Sequence, residues 1–88
     1  MNFDKLAFVI GAPNRIEVVL ALDSEKIPKQ LVKEIGKQDA NISRALRELT
    51  KREVVKCLTP NNKRGRIYTL TPDGLQIRQK LLSNAKKD

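Results

Sequence analysis

The chain has 88 residues, short enough for one domain, and a domain of this size buries only about 60–65% of its unfolded surface. One modest core results, with little room for a deep catalytic cleft. The sequence contains no histidine and one cysteine, which excludes His/Cys zinc sites and catalysis by Ser-His-Asp or Cys-His groups. Its acidic residues are scattered and form no carboxylate pair on one face. We therefore predict that the chain is not an enzyme and binds no metal or cofactor.

Positive charge is concentrated in the middle of the chain. The net charge is +8, and residues 26–66 hold 12 basic residues against 4 acidic ones, so this segment accounts for the whole excess. Such a segment favours a polyanionic partner, and a merely solvated face is the alternative. Anionic lipid is a weaker candidate, because no long amphipathic helix with aromatic anchors is present. With a single Cys57, no signal-like stretch and no apolar run of about 18 residues, we predict a cytoplasmic protein without membrane contact.

The N-terminal third predicts two helices. Residues 3–10 show helical spacing, with a predicted buried face formed by Phe3, Leu6, Ala7 and Ile10. The stretch GAPN then ends this helix. A second helix over 14–22 carries apolar residues on two sides. Either the N-terminal helix or another subunit must cover both sides.

The next segment predicts a helix-turn-helix. Pro28 suits the first position of a helix over 28–35, and Gly36 suits the left-handed residue that ends it. Asp39 is the predicted N-cap of a fourth helix, assigned to 39–52. This helix directs four apolar side chains inward, those of Ile42, Ala45, Leu46 and Leu49. Two short helices joined by a tight turn form the helix-turn-helix unit.

The C-terminal third predicts a hairpin and a last helix. Two β-rich runs at 54–58 and 66–70 flank the loop TPNNKRG, which gives a two-stranded hairpin with a basic tip. TPDG then begins a helix over 72–85, with Thr71 as N-cap and Pro72 at the first position. The fold class is therefore mainly α with a small β-hairpin (α+β). We expect one domain over 1–88, with 1–10 an accessory helix and 84–88 a frayed tail.

This order of elements is that of a winged helix-turn-helix domain. The stretch NISRALRELTKREVVKCLTPNNKRGRIYTLTPDG resembles the recognition helix, wing and post-wing helix of the MarR- and ArsR-like transcriptional regulators of bacteria and archaea. GAPNRIEVVLAL is similar to the first core helix of the ArsR-like group. Glu53 stands where the family usually has glycine, so the turn KREVV is expected to differ in shape or the helix to end in another way. The third helix lacks the cysteines of the ArsR-like metal sensors, and Cys57 is interpreted as a small buried apolar residue.

The resemblance implies that helix 39–52 lies in the major groove and that the wing tip, 59–66, contacts the adjacent backbone or minor groove. Arg44 and Arg47 would reach guanine edges or phosphates, and a bidentate Arg–guanine contact gives about 1–3 kcal/mol of discrimination. Tyr68 is assigned to core packing. The alternative for the polar helix residues is an ordinary first turn, and for the wing cations a solubilising loop. The predicted DNA-binding residues are Lys29, Gln30, Gln38, Asn41, Ser43, Arg44, Arg47, Lys51, Lys63, Arg64 and Arg66.

The expected function is therefore that of a sequence-specific regulator of transcription that binds double-stranded DNA. The doubled apolar stripes suggest a homodimer through the N-terminal and C-terminal helices, and a palindromic site with half-sites about one helical turn apart. Two alternatives stay open: a winged-helix module that docks proteins of transcription or chromatin machinery, and a sequence-neutral architectural DNA binder. Salt dependence and competition with other DNA distinguish the three.

Overall fold

Five helices and one hairpin make up the computed structural model, which describes residues 2–85. In chain order they are α1 (Phe3–Ile10), α2 (Pro13–Ala21), α3 (Pro28–Ile35), α4 (Asp39–Lys51), β1 (Val55–Cys57), β2 (Tyr68–Leu70) and α5 (Pro72–Ala85). The predicted class, α+β with a winged helix-turn-helix order, is confirmed, and each helix bound agrees within one residue. No helix in this part of the chain is long and apolar enough to cross a membrane.

Prolines and a glycine set several helix ends. Pro13 begins α2 instead of only ending α1, and Pro28 occupies the same early position in α3, where the missing N–H is not needed. Gly36 adopts the predicted left-handed conformation, with φ +79°. The assignment of Asp39 as N-cap is wrong. Gln38 takes that position, and Asp39 lies in the first turn, where its charge favours the helix dipole.

The core lies around α2, which contacts α1, α3, α4 and α5. Both apolar sides of α2 are therefore covered within the chain itself. The predicted inward face of α4 is confirmed, since its four apolar residues are all buried. The buried residues of the core are Val9, Val18, Val19, Leu22, Leu31, Ile42, Ala45, Leu46, Leu49, Val54, Val55, Leu70 and Ile77.

The predicted buried face of α1 is wrong. Val9 is its buried residue, with Leu6 and Phe8 packed against the core beside it. Phe3 is 71% exposed and Ile10 is 53% exposed, and Ala7 is also exposed. Most side chains of this eight-residue helix are apolar, so several sets of residues at helical spacing could form its buried face. Packing on α2 buries the set around Val9 and not the predicted one.

The wing is an antiparallel hairpin in which Val55 pairs with Leu70 and Cys57 with Tyr68. The strands are shorter than the predicted 54–58 and 66–70, although Leu58 N–H still donates to Ile67 O at 2.7 Å. A further partner was not predicted. Lys26 and Tyr68 exchange two backbone hydrogen bonds of 3.0 and 2.8 Å, which tie the loop before α3 to β2.

The turn between α4 and β1 keeps the shape that glycine would favour. Glu53 has φ +60°, in the left-handed region. Its N–H donates to Thr50 O, and Val54 N–H donates to Leu49 O, both at 3.0 Å. These are the two bonds of a Schellman motif, the usual helix ending around a left-handed residue. The expectation of a different turn is therefore corrected: the glutamate adopts the strained conformation.

Helix α5 begins as predicted, because Thr71 Oγ1 accepts the N–H of Gly74 at 3.1 Å. Gly74 is buried against Leu70 of β2 and the residue before β1, and a Cβ there would overlap the carbonyl oxygen of Val54. At its other end α5 includes Asn84 and Ala85. The predicted frayed tail is thus corrected for these two residues, and 86–88 lie outside the described part of the chain.

Candidate nucleic-acid interface

A cleft of about 780 Å³ lies between the start of α3, the outward side of α4 and the hairpin, and is called here the α3–wing cleft. Its apolar lining includes Ile27, Leu46 and Tyr68, so Tyr68 packs against the core, as predicted, and also reaches this surface. Six of the eleven predicted DNA-binding residues line it: Lys29, Ser43, Arg47, Lys51, Lys63 and Arg66. The structure therefore brings together residues that span 38 positions of the sequence.

Local structure explains why three of these residues share one side. Ser43, Arg47 and Lys51 are four positions apart on α4, and residues at this spacing lie above one another on a helix. The buried face of α4 holds the opposite side against α2 and α3. Lys63 and Arg66 reach the cleft from the hairpin, where Arg66 Nε donates to Asn62 O at 2.7 Å.

The five cations of the cleft have no acidic partner within residues 2–85. Among the described residues, no ion pair involves the cleft's Lys or Arg side chains, and all of them are exposed. Those that do form ion pairs are Lys5, Arg15, Lys26, Lys37 and Arg44. The acidic residues thus neutralise charge elsewhere and leave the cleft positive.

Lys26 shows how burial removes a cation from this surface. Although it begins the basic segment of the sequence, it is only 9% exposed. Its Nζ donates to Glu34 at 2.6 Å and to Ala21 O at 2.7 Å, and lies 3.0 Å from Asp23. The bonds to Glu34 and Asp23 raise the pKa of Lys26 above its ordinary value, and the bond from Lys26 lowers the pKa of Asp23. Lys26 therefore anchors α3 and is not available to a ligand.

The remaining predicted residues lie outside the cleft. Asn41 and Arg44 line a separate hollow of about 210 Å³ beside Arg15 and Glu48. The Gln30 side chain accepts a hydrogen bond from the backbone N–H of Ile27 at 3.0 Å and so caps the N-terminus of α3. Gln38 is the exposed N-cap of α4, and Arg64 is exposed at the hairpin tip.

Sequence reasoning missed Arg15 and Glu48, which connect α2 to α4. Arg15 Nε donates to Glu48 at 3.1 Å, and Glu48 also lies 3.5 Å from Arg44 Nε. The Arg44–Glu48 spacing of four is a detectable helical signal. The contact with Arg15 crosses 33 positions and has no local signal. Within residues 2–85, no group of three or more Cys, Asp or Glu side chains is placed to hold a metal ion.

Comparison with known proteins defines the class of fold. No protein-family profile matches the sequence, and no curated protein matches it. Solved structures do match. A MarR family transcription regulator has a TM-score of 0.77 at 21% identity, over 93% of this chain and 56% of that chain. MarR from E. coli has a TM-score of 0.75 at 23% identity, over 99% of this chain and 71% of that chain. A possible transcriptional regulator for arsenical resistance has a TM-score of 0.68 at 27% identity, over 96% of this chain and 86% of that chain.

The fold is therefore the winged helix-turn-helix of MarR-like transcriptional regulators. The chain spans about half the length of the first of these matched structures. In this fold α3 and α4 are the two helices of the helix-turn-helix, and the hairpin is the wing.

Proposed function

We propose that the protein is a sequence-specific regulator of transcription that binds double-stranded DNA as a homodimer. In this proposal α4 enters the major groove, and the wing lies on the adjacent backbone or minor groove. All eleven residues predicted from the sequence belong to this proposed interface, and six of them line the α3–wing cleft.

The observation that carries the proposal is the set of unpaired cations around the α3–wing cleft. Arg47, Lys51, Lys63 and Arg66 come from two separate elements yet line one concave surface with Lys29. Leaving like charges close together without acidic partners costs electrostatic free energy, which a polyanion recovers on binding. Phosphates along a DNA strand supply negative charge at regular spacing, and releasing their counterions drives association.

Exposed apolar side chains support the dimer. Phe3 and Ile10 on α1 and Leu75 on α5 are each more than half exposed. The two helices contact each other, and Lys5 Nζ donates to Asp73 at 2.7 Å between them. Burying a large apolar side chain gains about 1.5–3 kcal/mol, so a second copy of the chain on this side would stabilise these residues.

The test starts with selection of bound sequences from a random pool of double-stranded DNA. We expect enrichment of a palindrome with half-sites about one helical turn apart. Fluorescence anisotropy then compares the selected duplex with a scrambled one at several salt concentrations. A regulator should prefer its site by about 10³-fold or more. Tight binding without preference would instead indicate an architectural DNA binder, and weak binding to every duplex would indicate a protein-docking module.

Variants test whether the cleft is the interface. Arg47→Ala should weaken binding to the selected duplex by about 1–3 kcal/mol, and Lys63→Ala should lower the salt slope by about one. Lys80→Ala removes an equal charge from an exposed position of α5 and should leave both unchanged. Equal effects of Arg47→Ala and Lys80→Ala would contradict the interface. Light scattering of Phe3→Glu tests the dimer, which is contradicted if the unaltered protein is monomeric while it binds DNA.

A further inference from the structure

Four side chains form a connected chain from α1 to the exposed side of α4. Arg15 Nη1 donates to the carbonyl oxygen of Phe8 at 2.7 Å, and its guanidinium lies 3.8 Å from the centroid of the Phe8 ring. Arg15 Nε donates to Glu48 Oε1 at 3.1 Å. The other carboxylate oxygen of Glu48 lies 3.5 Å from Arg44 Nε. Exposure rises along this chain, from 19% for the Arg15 side chain through 33% for Glu48 to 76% for Arg44.

The inner members of this chain are fixed. Arg15 is held by a carbonyl, a carboxylate and an aromatic ring at once, and a planar guanidinium held at several points has few alternative rotamers. Glu48 is thereby held on the side of α4 that faces α2. The second carboxylate oxygen of Glu48 lies within reach of Arg44, which precedes it by one helical turn.

Arg44 contacts Glu48 through its Nε alone, in an ion pair of 3.5 Å. Its two terminal amino groups have no partner among the described residues, and the side chain is 76% exposed. These amino groups are part of the donor fork that matches the O6 and N7 acceptors of guanine in the major groove. The contact with Glu48 therefore leaves the two terminal amino groups of Arg44, the atoms that would contact a base, without a partner among the described residues.

We infer that Glu48 is a positioning residue for DNA recognition, which orients Arg44 toward a base edge through the Phe8–Arg15–Glu48 chain. The inference rests on the proposed function and adds that Arg44, oriented by Glu48, contributes to the choice of DNA sequence. Arg44 keeps its contact with Glu48 while its amino groups reach a guanine. A phosphate on the flank of the groove lies in another direction from the groove floor, so we infer that reaching it would turn the Arg44 side chain away from Glu48. Glu48 thus favours base contacts over phosphate contacts at the same arginine.

Specificity, and not stability, is the expected consequence. The Arg44–Glu48 pair is exposed and contributes little to folding, and the glutamine of Glu48→Gln keeps the part-buried hydrogen bond with Arg15, so the melting temperature should fall only slightly. Orientation of one long side chain before binding removes the entropy cost of ordering it in the complex. In the complex the DNA excludes water from the Arg44–Glu48 pair and so strengthens it, and loss of the Glu48 charge should therefore lower the ratio of specific to nonspecific affinity about three- to tenfold.

The experiment measures this ratio for Glu48→Gln, whose amide oxygen can still accept from Arg15. Affinities for the selected and the scrambled duplex are determined by anisotropy at equal salt. We expect tighter binding to the scrambled duplex and no tighter binding to the selected one. Glu25→Gln is the matched control, because it removes the same charge from an exposed loop residue. An equal fall in the ratio for Glu25→Gln would overturn the inference, since net charge would then explain the effect.

A double-mutant cycle separates positioning from a structural role. In an Arg44→Ala background, Glu48→Gln should leave the ratio unchanged, because the residue it positions is gone. A fall of equal size in that background would overturn the inference, as would a ratio within twofold of the unaltered protein for Glu48→Gln alone. If the unaltered protein selects no sequence, the proposed function itself fails, and this inference with it. A selected palindrome with no effect of Glu48→Gln refutes only the positioning role.

Discussion

Replacement of Gly74 by alanine gives the sharpest test of how α5 packs on the wing. In an isolated helix this substitution would be favourable by about 1 kcal/mol, because glycine is a poor helix former. Here the added Cβ would overlap the carbonyl oxygen of Val54 and would lie 3.2 Å from Leu70 Cβ and Cδ2. The effect of Gly74→Ala on stability is therefore the cost of this overlap minus the gain in helix propensity.

The magnitude follows from what must move. The Val54 carbonyl accepts a hydrogen bond from Thr71 N at 3.0 Å, so a shift that relieves the overlap also strains this bond. Overpacking costs about 1–3 kcal/mol, and each hydrogen bond contributes about 0.5–1.5 kcal/mol. After subtraction of the helix-propensity gain, Gly74→Ala should lower the free energy of unfolding by about 2 kcal/mol. For a domain of this size the melting temperature should fall by about 8–16 °C.

Circular dichroism measures this effect in thermal and urea denaturation. Gly65→Ala is the control: Gly65 has φ +65° with no atom within 4 Å of the added Cβ, so its cost is only the left-handed strain of about 1 kcal/mol. If Gly74→Ala is no less stable than Gly65→Ala, the close packing of α5 on Val54 and Leu70 is refuted.

Three further predictions concern stability. Glu53→Gly should raise the free energy of unfolding by about 0.5–1 kcal/mol, because glycine relieves the left-handed strain, and a lower melting temperature would contradict this. Lys26→Met should lower it by about 2 kcal/mol in urea titration through loss of charged hydrogen bonds, whereas Lys29→Met at an exposed position should change it little. Because the pKa of Asp23 is lowered in the folded state, its charge stabilises the fold above about pH 3.9, and this stabilisation is lost as the pH falls below that value. Because the pKa of Lys26 is raised, its charge stabilises the fold below about pH 10.4, and this stabilisation is lost as the pH rises above that value. Melting temperatures measured across pH should therefore decline at both extremes, and Lys26→Met should weaken both declines.

Local periodicity was enough to predict most of the helix-turn-helix. α4 has polar and apolar residues that alternate clearly with the helical period, so only one face can be buried, and Ile42, Leu46 and Leu49 are on it. α1 lacks this contrast. Its core contact was decided by the shape of α2 against Val9, which local spacing does not contain.

The resemblance and the charge count differ in the cations that they assign to the proposed interface. The resemblance selected cations that the structure leaves unpaired, such as Arg47 and Lys51, and passed over Lys26, which is buried. It could not predict the acidic partners, because a pair such as Arg15 and Glu48 depends on how α2 crosses α4. The departure at Glu53 was visible in the sequence, but the backbone kept the same turn since the Schellman bonds and the packing of Val54 outweigh the strain.

The bridge between Lys26 and Tyr68 also bears on the order of folding. It joins positions 42 residues apart, and both helices of the helix-turn-helix lie inside the loop that it closes. α3 and α4 form through local contacts, whereas closing a loop of this length has an entropy cost that local contacts avoid. The hairpin is therefore expected to dock onto helices that are already packed. By the same reasoning it separates before they do, and amide hydrogen exchange should show opening of the wing at a lower free energy than opening of α4.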